Sequence, residues 1–373
     1  MMTKPGRLPA IDVLRGLVIA LMALDHVRDF FAPTPFNPLD LTQTSVGWFF
    51  TRWMTHLCAP TFVLLAGVSG FLRAQKFDRP AMARYLLSRG AMLVVLELTW
   101  INFSWQFGFE SIMLQVIWVL GVGMMCLAGL IFLPRPLILL IAAALLLPHN
   151  LLDQFHHPDP SLWMTLWHQG GWIPLGEHFG IFVLYPLMPW IGLMAAGYGI
   201  GPLFLKSPAE RQRGLWLASI GLLLLFVALR SGNWYGDPEP WTMQAGGWVL
   251  SLMSFLKVQK YPPSVLYLCV TLSISFALLA FMDQRVKGEV PVLSLFGSHP
   301  LFFYCVHVAL IHALGWITMQ TLYGGQVQFD AGKQIVPAGY HASLLMCYAA
   351  WFVVLVLMYG ITHRWAIWRR QPG

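Results

Sequence analysis

The chain has 373 residues, of which 57% are hydrophobic and only 10% are charged, whereas about 25% of the residues in a typical soluble domain are charged. A soluble fold of this size needs more polar surface than these residues can supply, so the composition excludes a soluble enzyme and indicates a protein embedded in lipid. The formal net charge of +7 does not indicate nucleic-acid binding, because the cations lie in short segments between apolar stretches rather than along one face.

Apolar stretches of about 20 residues, the length of a membrane-spanning helix, recur along the whole chain. They predict an all-α, polytopic transmembrane bundle of about ten helices, forming a single domain over residues 1–373. The predicted spans are residues 11–31, 47–72, 85–105, 112–132, 135–151, 180–203, 213–231, 263–282, 293–319 and 342–364. The apolar stretch 245–257 is shorter, which favours an interfacial or re-entrant helix.

The lysines and arginines predict which side of the membrane each loop occupies. Cytoplasmic segments are rich in these cations, and a cytoplasmic N-terminus collects 17 of the 23 lysines and arginines on that side. The 17 are Lys4, Arg7, Arg15, Arg73, Lys76, Arg79, Arg84, Arg89, Arg135, Lys206, Arg211, Arg213, Arg285, Lys287, Arg364, Arg369 and Arg370. Residues 152–179 contain neither cation and are predicted to be external. Both termini are therefore predicted to lie in the cytoplasm. The chain is predicted to span the inner membrane of the cell.

Ionisable residues are costly inside a membrane, so each one is a candidate functional residue. Several polar residues fall in the external half of their spans when depth is counted at 1.5 Å per residue. They are Asp25, His26, Arg28, Asp29, Arg52, His56, Glu97, Asn102, Gln115, Trp118, His307 and His312. Because distant segments bring polar groups to one depth, we predict a buried polar site that opens to the exterior.

Some of these residues also have a structural explanation. Asp25, Arg28 and Asp29 have the i,i+3 and i,i+4 spacing of an ion cluster at a helix end. Asp12 and Arg15 have the same i,i+3 spacing, which favours a simple pair at the cytoplasmic interface.

Arg52 and His56 are four residues apart and are predicted to share one helix face, which favours a functional role for His56. A structural role is favoured for His312. Glu97 requires a proton or a partner, such as Arg52 or a histidine.

The Gly197-xxx-Gly201 spacing predicts close helix packing. No metal site is predicted, because the cysteines and histidines match no standard ligand spacing.

Five segments carry a recognisable set of motifs. They are RLPAIDVLRGLVIALMALDH (7–26), THLCAPTFVLLAGVSGFL (55–72), LYPLMPWIGLMAAGYGIG (184–201), KYPPSVLYL (260–268) and SHPLFFYCVHVALIH (298–312). As a set they resemble the bacterial branch of the heparan-alpha-glucosaminide N-acetyltransferase-like family of transmembrane acyltransferases. The resemblance implies transfer of an acyl group, usually acetyl from acetyl-CoA, to a sugar or glycan across the membrane. It implies membrane lipid and the sugar as partners, and leaves the oligomeric state open.

The chain departs from the pattern of the lysosomal members of that family. Those enzymes carry a histidine in the first external loop, where TQTSVGWFF here has none. They also have Asn where this chain has His26, and Asp where it has His56. The catalytic residue is therefore not carried over directly. Either His26 or His56 acts as general base, with Asp25 or Glu97 fixing its tautomer, or the chemistry differs. A covalent acyl-histidine route is a further alternative.

Other polar residues are expected to bind the two substrates. Those expected to bind the acceptor are Arg52, Arg28, Asn102, Gln115, Trp118 and His307, and Arg52 is also a candidate for stabilising the thioester oxyanion. Arg15, Arg73 and Lys76 are expected to attract the phosphates of acetyl-CoA, although the positive charge typical of cytoplasmic loops explains the same cations.

Two other functions fit the same residues. A transporter of a small polar solute would also use intramembrane His, Asp and Arg, but it predicts discontinuous helices in matching halves. A non-catalytic membrane component of envelope assembly would retain the fold alone. Turnover of labelled acetyl-CoA distinguishes the enzyme from both.

Overall fold

The computed structural model describes residues 8–286, 288, 290–330 and 333–370, so the predicted cytoplasmic residues Lys4, Arg7 and Lys287 lie outside the described part. Most of that part is helical. The helices are α1 (Pro9–Phe31), α2 (Val46–Met54), α3 (Cys58–Ala74), α4 (Arg79–Leu96), α5 (Asn102–Gln106), α6 (Val116–Leu130), α7 (Arg135–Leu146), α8 (Leu162–Met164), α9 (Leu187–Ile200), α10 (Pro208–Ser231), α11 (Trp248–Leu256), α12 (Val265–Arg285), α13 (Pro291–Ser298), α14 (Pro300–Tyr323) and α15 (Leu344–Trp368). Turns of 3-10 helix lie at Thr55–Leu57, His149–Phe155 and Gly201–Leu205, and π-helical turns lie at Glu97–Ile101 and Thr165–Gln169.

The strands are short and lie between the helices. β1 (Ile112–Leu114), β2 (Gly171–Pro174) and β3 (Gly180–Val183) form one sheet in the order β1-β3-β2. In it β1 is parallel to β3, and β2 is antiparallel to β3. A separate antiparallel hairpin joins β4 (Gln328–Asp330) to β5 (Lys333–Ile335).

Eight helical segments of the described residues are long and apolar enough to cross a membrane. They are Val46–Ala74, Arg79–Gln106, Arg135–Phe155, Leu187–Leu205, Pro208–Ser231, Val265–Arg285, Pro300–Tyr323 and Leu344–Trp368. The prediction of an all-α, polytopic membrane protein is confirmed. Because α1 carries five charged residues and α6 has only 15 residues, the total of ten spans and their orientation stay predictions.

Two predicted spans are interrupted. The prediction of one helix over 293–319 is wrong: α13 ends at Ser298 and α14 begins at Pro300. Proline has no N–H to donate and is favoured at the first position of a helix, so it starts α14 rather than continuing α13. In the predicted span 47–72 a 3-10 turn separates α2 from α3. Arg52 and His56 are therefore not related by a regular α-helical turn.

Two other predicted spans begin too early. Residues 112–114 and 180–183 are not helical, because Ile112 pairs with Ile181 and Leu114 pairs with Val183 in the β1–β3 ladder. The helices that follow start only at Val116 and Leu187.

The described residues fall into two compact units, and the prediction of a single domain stays a prediction. The first unit comprises Met1–Cys58, Met243–Ser254 and Arg285–Gly373. Its central element is α1, which packs against α13, α14 and α15. The backbones of α1 and α13 touch, since a side chain at Gly297 would overlap the carbonyl of Asp12.

The second unit comprises Ala59–Thr242 and Phe255–Gln284. Here α4 packs against α6, with Gly90 and Gly121 at the point of closest approach. Side chains at Gly197 and Gly201 would overlap Leu64 and Phe71 of α3, so the close packing predicted for these glycines is confirmed.

Candidate active site

A pair of histidines lies inside the first unit. His26 Nδ1 of α1 is 2.8 Å from His307 Nε2 of α14, and the two rings stack with centroids 5.0 Å apart. The other nitrogen of His307, Nδ1, lies 3.0 Å from the carbonyl oxygen of Phe303 and 2.8 Å from that of Tyr304. A carbonyl oxygen only accepts hydrogen bonds, so His307 Nδ1 carries a proton.

This geometry determines the protonation of both rings in their neutral form. His307 is completely buried, where a charge is costly, so with Nδ1 protonated its Nε2 is the acceptor. His26 Nδ1 must then donate to it, which places the lone pair of His26 on Nε2. His26 is only partly buried. The pair therefore places the lone pair of the partly buried His26 ring on Nε2.

A cluster of four charged side chains lies beside His26 along α1 and α2. Arg52 Nη1 donates to both carboxylate oxygens of Asp25, each at 2.7 Å. Arg28 Nη2 donates to Asp25 Oδ1 at 3.1 Å and to Asp29 Oδ1 at 2.7 Å. Arg52 also donates to the hydroxyl of Thr55 at 3.2 Å. Two arginines and two aspartates cancel in formal charge, so the cluster holds α1 against α2 without a net charge.

His56 occupies the 3-10 turn between α2 and α3 and is fully buried. Its ring lies 6.3 Å from that of Trp53. The histidine that pairs with His26 is thus His307, which the sequence indicated only as a substrate-binding candidate. Their separation of 281 residues leaves no local sequence signal for that pair.

A different polar centre lies in the second unit. The carboxylate of Glu97 accepts hydrogen bonds from the backbone N–H groups of Gln115 at 3.1 Å and Trp118 at 3.0 Å. These are the groups at the start of α6 that lack helical partners. Glu97 therefore caps α6, in the place where an N-cap side chain would act.

Asn102 completes this second centre. Its amide accepts from the N–H of Met113 at 2.6 Å and donates to the Met113 carbonyl at 3.0 Å. The same amide nitrogen donates to the carbonyl of Glu97 at 2.5 Å, and this carbonyl also accepts from the backbone N–H of Asn102 across the π-helical turn Glu97–Ile101. The side-chain N–H groups of Gln115 and Trp118 are buried and find no hydrogen-bond partner among the described residues.

The residues expected to attract the donor lie on separate elements. Arg15 of α1 is 3.5 Å from Asp12, as the i,i+3 spacing predicted. Arg73 of the second unit stacks over Tyr85, with its guanidinium carbon 4.0 Å from the ring centroid, and Lys76 is exposed. Among the described residues no group of three metal-ligating side chains is present.

A third polar cluster anchors the loop after α10. Arg230 donates to the carbonyls of Phe255, Glu239 and Lys257, and lies 3.8 Å from Asp237. Asp237 itself accepts from the N–H of Gln259 at 2.8 Å. Burial raises the pKa of the Asp237 carboxyl above its ordinary value, against the opposing effect of these hydrogen bonds and of Arg230.

Residues 7–231, more than half of the chain, match the family described as "Heparan-alpha-glucosaminide N-acetyltransferase, catalytic". The chain belongs to this family. A comparison with curated proteins found no match. As a member of the heparan-alpha-glucosaminide N-acetyltransferase family with eight apolar spans in its described residues, the chain is a multi-pass membrane protein of acetyltransferase type.

The matched region contains most of the candidate residues. His26, the cluster around Asp25 and Arg52, and the Glu97 centre all lie within residues 7–231 of this N-acetyltransferase family member. His307 lies beyond the match, so the partner of His26 comes from a part of the chain that the family comparison does not cover.

Proposed function

We propose that this protein transfers an acyl group, acetyl in the first instance, from cytoplasmic acetyl-CoA to an amine or hydroxyl of a sugar or glycan on the external face of the inner membrane. The observation that carries the proposal is the His26–His307 pair, in which the neutral imidazole of the partly buried His26 has its lone pair on Nε2. Family membership supplies the acetyl group and the sugar acceptor.

In the proposed reaction His26 acts as general base. Its Nε2 takes the proton from the acceptor amine or hydroxyl as that nitrogen or oxygen attacks the thioester carbonyl carbon. The new C–N or C–O bond forms, the C–S bond breaks, and the proton passes to the departing thiolate. Such positioned base catalysis contributes roughly 10²- to 10⁴-fold in rate. His307 positions His26 and accepts from the Nδ1–H throughout.

The remaining candidates divide between positioning and binding. Asp25, Arg28 and Arg52 hold the end of α1 that carries His26, and Arg52 is the proposed residue of this cluster for stabilising negative charge on the thioester oxygen. We propose that His56, in the 3-10 turn that follows α2, helps to position Arg52.

In the second unit, Glu97 and Asn102 position the start of α6. The side-chain N–H groups of Gln115 and Trp118 are buried without a partner among the described residues, and such donors are costly. Binding of the acceptor by these two residues stays a prediction, as does attraction of the donor phosphates by Arg15, by Arg73 or by Lys76.

The test uses the purified full-length protein in lipid nanodiscs, with radiolabelled acetyl-CoA and amino-sugar or glycan acceptors. We expect acetylated product with the wild type, and a turnover number lower by roughly 10²- to 10⁴-fold with His26→Ala at unchanged thermal stability. His178→Ala, which changes an exposed histidine, is the matched control and is expected to leave turnover unchanged. Full turnover with His26→Ala would reject the site. Solute uptake by the same protein in sealed proteoliposomes, without any acetylated product, would favour a transporter.

A further inference from the structure

Two arginines of the second unit converge on the ring of one tyrosine. The guanidinium carbon of Arg73, at the end of α3, lies 4.0 Å from the ring centroid of Tyr85 in α4, and that of Arg89 lies 5.8 Å from the same centroid. Both arginines are exposed. We propose that this Arg73–Arg89 site binds the headgroup phosphate of an anionic phospholipid, whose acyl chain follows the exposed face of α4. The proposal does not depend on the proposed acyl transfer.

The charge around the site is positive and uncompensated. Within the described part of the chain, neither Arg73 nor Arg89 forms an ion pair with a carboxylate. The hydrogen-bond acceptor that Arg89 reaches is Met92 Sδ at 3.7 Å, which is a weak acceptor. Residues 73–89 contain five cations and one acidic residue, Asp78, which caps the start of α4. Because two like charges on one ring repel each other at distances up to about 10 Å, a Debye length at moderate salt, the site favours an anion.

The position of Arg89 strengthens this preference. Arg89 lies within the apolar segment Arg79–Gln106, ten residues or about 15 Å from its start. A cation at such a position pairs with another group or extends its side chain towards the membrane interface. The Arg89 guanidinium lies near Tyr85, one helical turn closer to the start of the segment. The planar guanidinium presents paired N–H groups that match the oxygens of a phosphate, so a headgroup phosphate supplies the missing partner.

The exposed face of α4 favours a lipid over a soluble phosphate. Arg84, Leu87, Ala91 and Val95 are all exposed, and their spacing of three or four residues places them on one helix face. Leu87 is 47% exposed and Val95 is 59% exposed. From Arg84 to Val95 the helix rises by about 16 Å, close to half of a hydrocarbon core that is about 30 Å thick. A phospholipid therefore matches both parts of the surface, with its phosphate at the arginines and its acyl chain along one leaflet of α4.

The test compares lipids that remain bound to the full-length protein. The protein is reconstituted in nanodiscs of phosphatidylcholine mixed with phosphatidylglycerol, and the retained lipids are counted by native mass spectrometry. We expect the wild type to retain phosphatidylglycerol preferentially, and Arg73→Gln/Arg89→Gln to lower that preference by roughly 10- to 30-fold. Arg213→Gln/Arg364→Gln is the matched control. It removes two other exposed arginines from predicted cytoplasmic segments and is expected to keep the wild-type preference.

A second variant distinguishes a defined site from diffuse attraction. Arg73→Lys/Arg89→Lys keeps both charges but loses the planar guanidinium groups, so we expect an intermediate preference for phosphatidylglycerol. A full wild-type preference in this lysine variant overturns the site. This variant also decides the question if the glutamine variant has a lower Tm than the wild type in pure phosphatidylcholine and is therefore misfolded.

The remaining outcomes concern the occupant of the site. An equal preference for phosphatidylglycerol in the wild type and a folded Arg73→Gln/Arg89→Gln variant overturns the proposal. If that variant instead raises the Kd for CoA, measured by calorimetry, and leaves the lipid preference unchanged, the arginines bind the donor and the lipid assignment is wrong. Inorganic phosphate added to pure phosphatidylcholine nanodiscs is expected to leave the Tm of the wild type unchanged. A rise in Tm equal to that given by phosphatidylglycerol would make this a site for soluble phosphate.

Discussion

The histidine pair of α1 and α14 and the Glu97 centre at the start of α6 are both polar groups within apolar helices, but their partners differ. The pair consists of two side chains, and the acceptor position on His26 Nε2 is directed by a chain of hydrogen bonds that ends on backbone carbonyls. Both carboxylate oxygens of Glu97, by contrast, are used by backbone N–H groups. An ionisable residue inside a membrane is therefore not a functional residue by its presence alone, because the groups that it bonds to determine whether it is available for chemistry.

The largest expected effect concerns His307. His307→Leu removes the acceptor that fixes the tautomer of His26, so we expect kcat to fall by roughly 10²- to 10⁴-fold with little change in KM. His307→Gln retains an acceptor oxygen and is expected to recover part of the rate. Steady-state kinetics on both variants measure the effect, and equal rates for the Leu and Gln variants would contradict a positioning role.

The next effect is on stability and concerns the cluster beside His26. Asp25→Asn leaves Arg52 without its carboxylate in a site where that side chain is only 13% exposed, and we expect a loss of about 3 kcal/mol in the free energy of unfolding. The double variant Asp25→Asn/Arg52→Gln should lose less free energy of unfolding than the sum of the two single variants, because it leaves no unpaired charge buried. Denaturant unfolding in detergent measures all three variants, and strict additivity would show that the pair contributes no coupling.

Glu97 provides the opposite test in the second unit. Glu97→Gln keeps one acceptor oxygen for the start of α6 but places an amide against the other N–H, so we expect a loss of about 1.5 to 3 kcal/mol in stability. The turnover per folded molecule at saturating acceptor should stay near that of the wild type. A folded Glu97→Gln variant without turnover would instead make Glu97 a catalytic residue, like the histidine pair of the first unit.

The smallest expected effect is a pH dependence at Asp237. Burial raises its pKa in the folded protein, so the folded state binds more protons than the unfolded state between the ordinary carboxyl pKa and the raised one. Stability therefore increases as the pH falls through the raised pKa, and it is lowest when Asp237 is ionised. We expect the wild type to gain in Tm relative to Asp237→Asn as the pH is lowered from 7 towards 4. A constant difference between the two proteins across that range would contradict the shift.

The elements were predictable from sequence where hydrophobicity decides them. Long apolar segments such as Val265–Arg285 and Leu344–Trp368 are helices as expected, because lipid requires every backbone group to be paired within the segment. The errors occur where a polar group or a proline competes with the helix. Pro300 begins a new helix. The side-chain amide of Asn102 donates to the backbone carbonyl of Glu97 in its own helical segment and to that of Met113 in β1.

The candidate site was predictable in part. The spacing of Asp12 with Arg15 and of Asp25 with Arg28 gives the observed ion pairs, since such pairs depend only on one helix. The pairing of His26 with His307 depends on how α14 packs against α1, which no local pattern specifies. For the same reason the sequence indicated that Glu97 needs a partner but not that the partner is the start of α6.

The separation of 281 residues between His26 and His307 has a consequence for biosynthesis. A ribosome adding roughly 5 to 20 residues per second needs about 15 to 60 s after making α1 before α14 emerges. During that interval the first helix sits in the membrane with its imidazole lacking the eventual neighbour. The histidine pair thus forms only near the end of translation. Under the proposed function, a polypeptide truncated before α14 is expected to regain activity when the missing part is co-expressed as a second chain.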